Sequence, residues 1–313
     1  MIPRCLRHFA SPAASRRSGW LARSVALRWL GGLVALLLSA CSAGEPGFLD
    51  AKGPVAHAQS ELFYYVIGVM MVVVVPVFIL TPWLVWKYRR SNRASDYRPK
   101  WEFSWLLEIA VWGIPALVVA LLGTKVWIDT HRLDPYRSLA SSQPPLEVQV
   151  VGLDWKWLFI YPEQHIATVN QLFFPVDRPL HLNLTSDTVM QSFMIPQLGG
   201  QIYAMAGMRT ELNLMANQPG SYIAQNTQYN GDGFPKQRFH AEAVSAAAFA
   251  QWVRQVRGAG TPLDAAAYKS LAIKSVPARP IVYAPVDPGL FRHIIHKYHA
   301  GDAAAYMTNG SHP

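Results

Sequence analysis

The chain has 313 residues, of which 51% are hydrophobic and only 15% charged, against roughly 25% charged in an ordinary soluble protein. That balance argues against a wholly water-solvated protein and for membrane segments. The formal charge of +9 does not mark a nucleic-acid binder: residues 1 to 40 hold six Arg and no acid, and beyond them 22 basic residues face 19 acidic ones, so no nucleic-acid partner is expected.

Residues 1–40 form an export signal. An Arg-rich start precedes "LGGLVALLLSAC", an apolar run too short to span a bilayer. It ends in Leu38-Ser39-Ala40-Cys41, which resembles the bacterial lipobox, in which the Cys thiol takes a diacylglycerol. Cys41 is therefore the expected lipidation site. The other cysteine, Cys5, is lost with the signal. The mature chain then has neither a free thiolate nor a disulfide, and a copper centre built on cysteine sulfur is excluded.

After a segment at 41–61, expected in the periplasm, residues 62–86 run for 25 positions without a charge. At 1.5 Å per residue they cross a hydrocarbon core of about 30 Å with room to tilt. A second span covers about 103–126 and contains one acid, Glu108. The two form a hairpin over 62–127. Trp83, Trp86, Trp101, Trp105 and Trp127 sit at span ends, as an interfacial aromatic belt requires. The connecting loop, 87–102, carries six Lys or Arg against two acids, which places it in the cytoplasm. The lipidated Cys41 and everything beyond the second span then face outward.

From Leu146 the pattern has period two. "LEVQVVGLDWKWLFIY", "PLHLNLTS", "TELNLMA", "GSYIAQN" and "RFHAEAV" read as strands separated by Pro and Gly turns. Short strands at this spacing over 128–244 predict a β-sandwich or Greek-key barrel. Leu180, Leu182 and Leu184 alternate with polar residues, as in a strand with one buried face. Residues 245–299 read as helical: Ser245 caps "AAAFAQWVRQV", and Thr261-Pro262 and Asp287-Pro288 each read as a cap followed by a first-turn proline. The tail, 300–313, is expected to be disordered.

Several groups invite chemistry and are better read as structure. Met190, Met194, Met205, Met208 and Met215 suit gap-filling in a core rather than copper storage. Trp155 and Trp157, on either side of Lys156, are expected to pack. His293 and His296 share a helix face, but His299 lies about 120° around from His293, so the three do not converge. Asp129, His131, Arg132 and Asp134, just past the second span, suit contacts with a partner. No serine-hydrolase arrangement, phosphate loop or zinc-protease motif is present.

A lipidated cysteine, a two-helix hairpin and an external sandwich, with "DWKWLFIYPEQHIATVN", "SFMIPQLGGQIYAMAGM" and "NQPGSY", resemble subunit II of the heme–copper oxidases, and within them the cytochrome bo-type ubiquinol oxidases. The likeness runs from about Cys41 to Tyr298. It implies a membrane α + β fold: a transmembrane hairpin, a periplasmic cupredoxin-like β-sandwich and a short, aromatic-rich C-terminal helical extension. In the copper-bearing branch a dinuclear copper centre is held by two His, two Cys, a Met and a Glu carbonyl. Laid on this chain, those positions are Gln191, Asn226, Gln228, Asn230, Phe234 and Gln237, so the resemblance implies a lost copper site and no cofactor on this chain.

The activity implied belongs to the complex: ubiquinol is oxidised, O2 is reduced to water at hemes and a copper ion in subunit I, and protons move outward. Subunits I, III and IV, ubiquinol and the bilayer are the implied partners, and the bacterial inner membrane the implied location. Glu108, in an E-x-x-x-W pattern with Trp112, occupies the place of an acid at the mouth of a proton path. Two rivals remain: a cytochrome c oxidase with an unusual electron entry, and a stand-alone membrane-anchored copper chaperone or assembly lipoprotein.

Overall fold

A computed structural model of the chain describes residues 47–92, 100 and 102–309. The export signal, Cys41 and half of the loop between the spans (93–99 and 101) lie outside the described residues.

Two helices are long and apolar enough to cross a membrane, α1 (Pro54–Lys87) and α2 (Trp105–Arg132). Pro54 occupies the first turn of α1, where its missing N–H costs nothing. Beyond that turn the chain covers little of either helix. Val72, Phe78, Trp112 and Trp127 are all more than half exposed, and only Ala56, Ser60, Val118 and Asp129 are buried. Apolar surface on every side of a helix needs lipid or other helices around it.

Both helices run past the expected span ends at 62 and 126, for a local reason. The start of α1 is fixed to the sandwich: Lys52 N donates to Gln197 O (2.8 Å), Ala56 N to Leu198 O (3.2 Å), and Asn217 N to Lys52 O (2.8 Å). Gly199 makes this possible. It has φ +81°, and a Cβ there would lie 2.7 Å from Ala56 N. Lys125 and the buried Asp129 pair at 2.7 Å near the end of α2.

The sandwich has two sheets. The first contains, in spatial order, β11 (Thr261–Leu263), β12 (Ile281–Val286), β3 (Ile166–Val169), β2 (Lys156–Tyr161), β1 (Leu146–Leu153), β5 (Leu180–Ser186) and β8 (Thr210–Leu214). The second contains β4 (Gln171–Pro175), β10 (Arg238–Val244), β9 (Gly220–Asn226), β6 (Gln191–Met194) and β7 (Gln201–Ala204). The expected single strand from Leu146 to Tyr161 is a hairpin, turned at Asp154-Trp155, with Gln149 opposite Ile160 and Leu153 opposite Lys156. β1 runs parallel to β5, Leu146 beside Leu180. Leu180, Leu182 and Leu184 are fully buried with Trp157, Phe159, Phe193 and Phe239 between the sheets. The other face of β5 is covered too: Asn183 and Thr185 are buried, Asn183 Nδ2 donating to Glu147 Oε1 and Thr185 Oγ1 to Met205 O.

The C-terminal extension belongs to the sandwich. Ser245 Oγ accepts from Ala248 N (3.2 Å) to start α3 (Ala246–Ala259), whose Phe249, Trp252, Val253 and Val256 are buried. Trp252 stacks on Phe173 at 4.6 Å and 13°. Thr261-Pro262, read from the sequence as a helix start, is instead β11. The next cap is Asp264, whose Oδ1 accepts from Ala267 N (2.8 Å) at the head of α4 (Ala265–Leu271). The final helix, α5 (Leu290–Asn309), continues past residue 299, since the expected disordered tail holds an alanine run with high helix propensity. α4 and α5 cover the outer side of the first sheet, where Leu271, Leu290, Phe291 and Ile294 meet Val151, Leu153, Leu158 and Ile160.

The methionine reading is corrected. None of the five is fully buried, and Met190 and Met208 are exposed. They border loops instead of filling the gap between the sheets.

Candidate functional site

The loop between β9 and β10 ends in a 3-10 turn at Phe234–Lys236 and lies beside the start of β6. There the chain gathers amides. Gln237, fully buried, donates from Nε2 to Gln191 Oε1 (2.6 Å). Its Oε1 accepts from Asn226 Nδ2 (3.0 Å) and Asn230 Nδ2 (2.7 Å). Gln191 Nε2 donates to Leu153 O (3.0 Å) and Thr188 Oγ1 (3.1 Å). Asn226 Oδ1 accepts from Ser192 N (2.9 Å) and Gln228 N (3.0 Å), and its Nδ2 also reaches Gln228 O (2.7 Å). One network thus fixes the loop to β1, β6 and itself.

Of the six positions singled out from the sequence, Gln191, Asn226, Asn230 and Gln237 come together through their side chains. Gln228 joins through its backbone. Phe234 stays outside and packs its ring 5.7 Å from Tyr229. Trp155 closes the site from above: it has φ 65°, and its Nε1 donates to Asn230 O (3.2 Å). The ring lies so close to Gly233 that a Cβ there would meet it at 2.1 Å. Trp157 is buried in the core with its ring edge on Phe193. Both tryptophans pack, as expected.

A copper centre does not fit these residues. Soft metal sites need thiolate, imidazole or thioether donors, and here the four side chains are carboxamides bonded to one another across 2.6 to 3.0 Å, with one hard amide oxygen, Asn230 Oδ1, left without a partner. Among the described residues no group of three or more His, Cys, Asp or Glu is placed to hold a metal ion. His293, His296 and His299 lie exposed along α5.

Glu108 lies exposed in the first turn of α2, where its Oε2 accepts from Trp112 Nε1 (3.1 Å). Asp129 is buried in its ion pair with Lys125, and His131 Nδ1 lies 2.8 Å from Trp127 O.

Sequence reasoning missed a second polar cluster, where the extension docks. Lys156 is fully buried, and its Nζ donates to Ile273 O and Ser275 Oγ, both at 2.7 Å. Burial lowers its pKa from the ordinary lysine value, against the attraction of Asp154. Asp187, also buried, accepts from Tyr268 (2.7 Å), Lys297 (2.7 Å) and Tyr298 (3.0 Å). Burial first, then the Asp187 carboxylate, push both phenols well above their usual range. The partners of Lys156 lie more than a hundred residues away, so no local pattern announced them.

Two family patterns match the chain: the cytochrome c oxidase subunit II periplasmic domain at residues 161–234 and the COX aromatic-rich motif at residues 257–302. The cytochrome bo(3) ubiquinol oxidase subunit 2 of Pseudomonas aeruginosa is 44% identical over 92% of this chain and 86% of its own length. The ubiquinol oxidase subunit 2 of Acetobacter aceti is 46% identical over 87% and 88%. The cytochrome bo(3) subunit of Pseudomonas putida is 47% identical over 84% and 83%. The chain belongs to the ubiquinol oxidase subunit II family. Within that family fold, the periplasmic-domain match takes in five of the six positions, from Gln191 to Phe234, while Gln237 lies just past its end. The aromatic-rich motif begins in the last turn of α3 and takes in β11, α4, β12 and most of α5.

Proposed function

We propose that this chain is a subunit II without a redox centre in a terminal quinol oxidase, a complex that oxidises ubiquinol, reduces O2 to water in a heme-bearing partner and translocates protons. The amide network carries this reading: where the copper-bearing relatives need metal ligands, Gln191, Asn226, Asn230 and Gln237 hydrogen-bond to one another. With no metal relay here, electrons must enter the partner from a membrane-soluble donor. The spans, exposed on nearly all sides, supply the surface for subunit I, and the sandwich caps its outer face. Subunits III and IV complete the complex. Glu108 offers a carboxylate at the cytoplasmic end of α2, suited to proton entry. Cys41 carries the lipid anchor, and the domains run as hairpin, copper-free sandwich and extension.

Oxygen uptake by the complex that co-purifies with this chain in mild detergent tests the reading, with ubiquinol and reduced cytochrome c compared as donors. Uptake with ubiquinol alone is expected. Uptake with cytochrome c would reveal an electron entry on or near this chain. No heme partner and no uptake with either donor would promote the chaperone reading.

A further inference from the structure

The end of α2 and the start of α1 flank a cavity of about 330 Å³ against the sandwich. Its wall is apolar on Val55, Leu133, Leu139 and Leu212, and Arg132 and Arg137 line it as well. Neither guanidinium has a side-chain hydrogen bond or ion pair among the described residues. Their neighbours differ: Lys52 is paired with Asp50 at 3.0 Å and His57 with Glu61 at 3.4 Å. Asp134 shares the cavity, but its Oδ1 is engaged by Tyr136 N (2.9 Å). Two guanidiniums against one carboxylate leave the cavity one positive charge in excess.

We infer that this cavity binds the phosphate of a membrane phospholipid. The inference rests on the reading of α1 and α2 as membrane spans. Arg132 follows Trp127 by five residues, about 7.5 Å along the helix, and a headgroup layer is about that thick on each side of the hydrocarbon core. The Arg132 guanidinium therefore lies at phosphate level, with Arg137 lining the same cavity, and planar paired donors match the two free oxygens of a phosphodiester. The apolar wall continues into the exposed flanks of the helices, where acyl chains lie. A soluble anion would gain nothing from that wall, and a partner's acidic side chain would not need a cavity of this size. The lipid would lie where sandwich and hairpin meet, beside the bonds from Asn213 N (3.1 Å) and Nδ2 (3.0 Å) to Pro135 O that tie the chain leaving α2 to β8.

Native mass spectrometry of the detergent-extracted complex, with dioleoyl-phosphatidylglycerol added, tests the site. The wild type is expected to keep one more phospholipid than the Arg132→Gln/Arg137→Gln variant. Retention in that variant should be at least about tenfold weaker, the scale of losing hydrogen bonds to a charged group. Inorganic phosphate should not displace the lipid from the wild type. Equal lipid counts overturn the inference, and displacement by inorganic phosphate makes this a free-anion site instead. Should the double variant lose its heme partner, Ser138→Trp, which fills the cavity from an exposed loop and keeps both guanidiniums, must show the same loss of lipid. An unchanged count there assigns the arginines to the partner subunit. Alkaline carbonate extraction of membranes reads the spans alone: release of the chain sinks the spanning assignment, whereas retention with unchanged lipid counts sinks only the site.

Discussion

Replacing Gln237 by Leu keeps the side-chain volume close and removes the hub of the amide network. Asn226 Nδ2 retains Gln228 O, but Gln191 Oε1 and Asn230 Nδ2 lose the partners they have in the structure. An orphaned buried polar group costs about 1–3 kcal/mol. Gln191 is fully buried and bears that in full, while Asn230 is half-buried and recovers part of it from water. A total of about 2–4 kcal/mol follows, equivalent at 1.4 kcal/mol per decade to local opening about 30- to 1,000-fold more frequent. Hydrogen exchange in the assembled complex reads it through the amides of Ser192 and Asn226, which donate to Asn226 Oδ1 and Gln237 O. On the proposed reading, in which no electron passes through this loop, quinol-driven oxygen uptake should not change. Exchange within about threefold of wild type would refute the reasoning, showing that water replaces the amide cheaply.

Two further outcomes are expected. Glu108→Gln retains an oxygen for the Trp112 Nε1 bond but cannot carry a proton; quinol-driven turnover and proton ejection in proteoliposomes should both fall several-fold with the heme spectrum unchanged, and unaltered ejection removes Glu108 from the proton path. The extension should loosen in alkali: folding holds the Tyr268 and Tyr298 protons past the ordinary phenol value of 10.0, so their contribution is intact below pH 10 and is lost as pH rises, by up to about 1.4 kcal/mol per pH unit for each. Lys156 works the other way, since its lowered folded value makes stability rise toward 10.5 and no further. Above pH 10.5 the phenols, Tyr283 of β12 included, therefore dominate, and Tyr268→Phe should lower the pH slope of limited proteolysis between α4 and α5. An unchanged slope would place the alkaline sensitivity elsewhere.

The sequence displayed whatever depends on neighbours a few positions apart. An unbroken charge-free run gave the first span and a nearly charge-free one the second, alternating leucines gave β5, and a capped apolar face gave α3. Four-residue strands such as β3, β6 and β7 carry too few alternations to stand out. β11 was hidden because Thr261-Pro262 satisfies the rule for a helix start equally well, and only its pairing with β12 decides otherwise. The amide site was legible only through the family likeness, because Gln191 and Gln237 are 46 residues apart. Lys156 stands in the sequence only as the residue between two tryptophans, and its burial is imposed by a segment that the chain reaches more than a hundred residues later.

The pairing of β12 with β3, Val282 beside Thr168 and Ile281 beside Val169, bears on how the protein is made. β3 stays an open edge until residues about 115 positions further on have arrived, and such long-range pairing is slow to form. If the sandwich is exported in chain order, it waits outside the membrane with a strand edge unpaired and Leu158 and Ile160 uncovered. An unpaired edge invites pairing with another chain. A nascent chain stalled before Ile281 would thus be a substrate for periplasmic quality control, and completion of the sheet would be the step that frees the subunit for assembly.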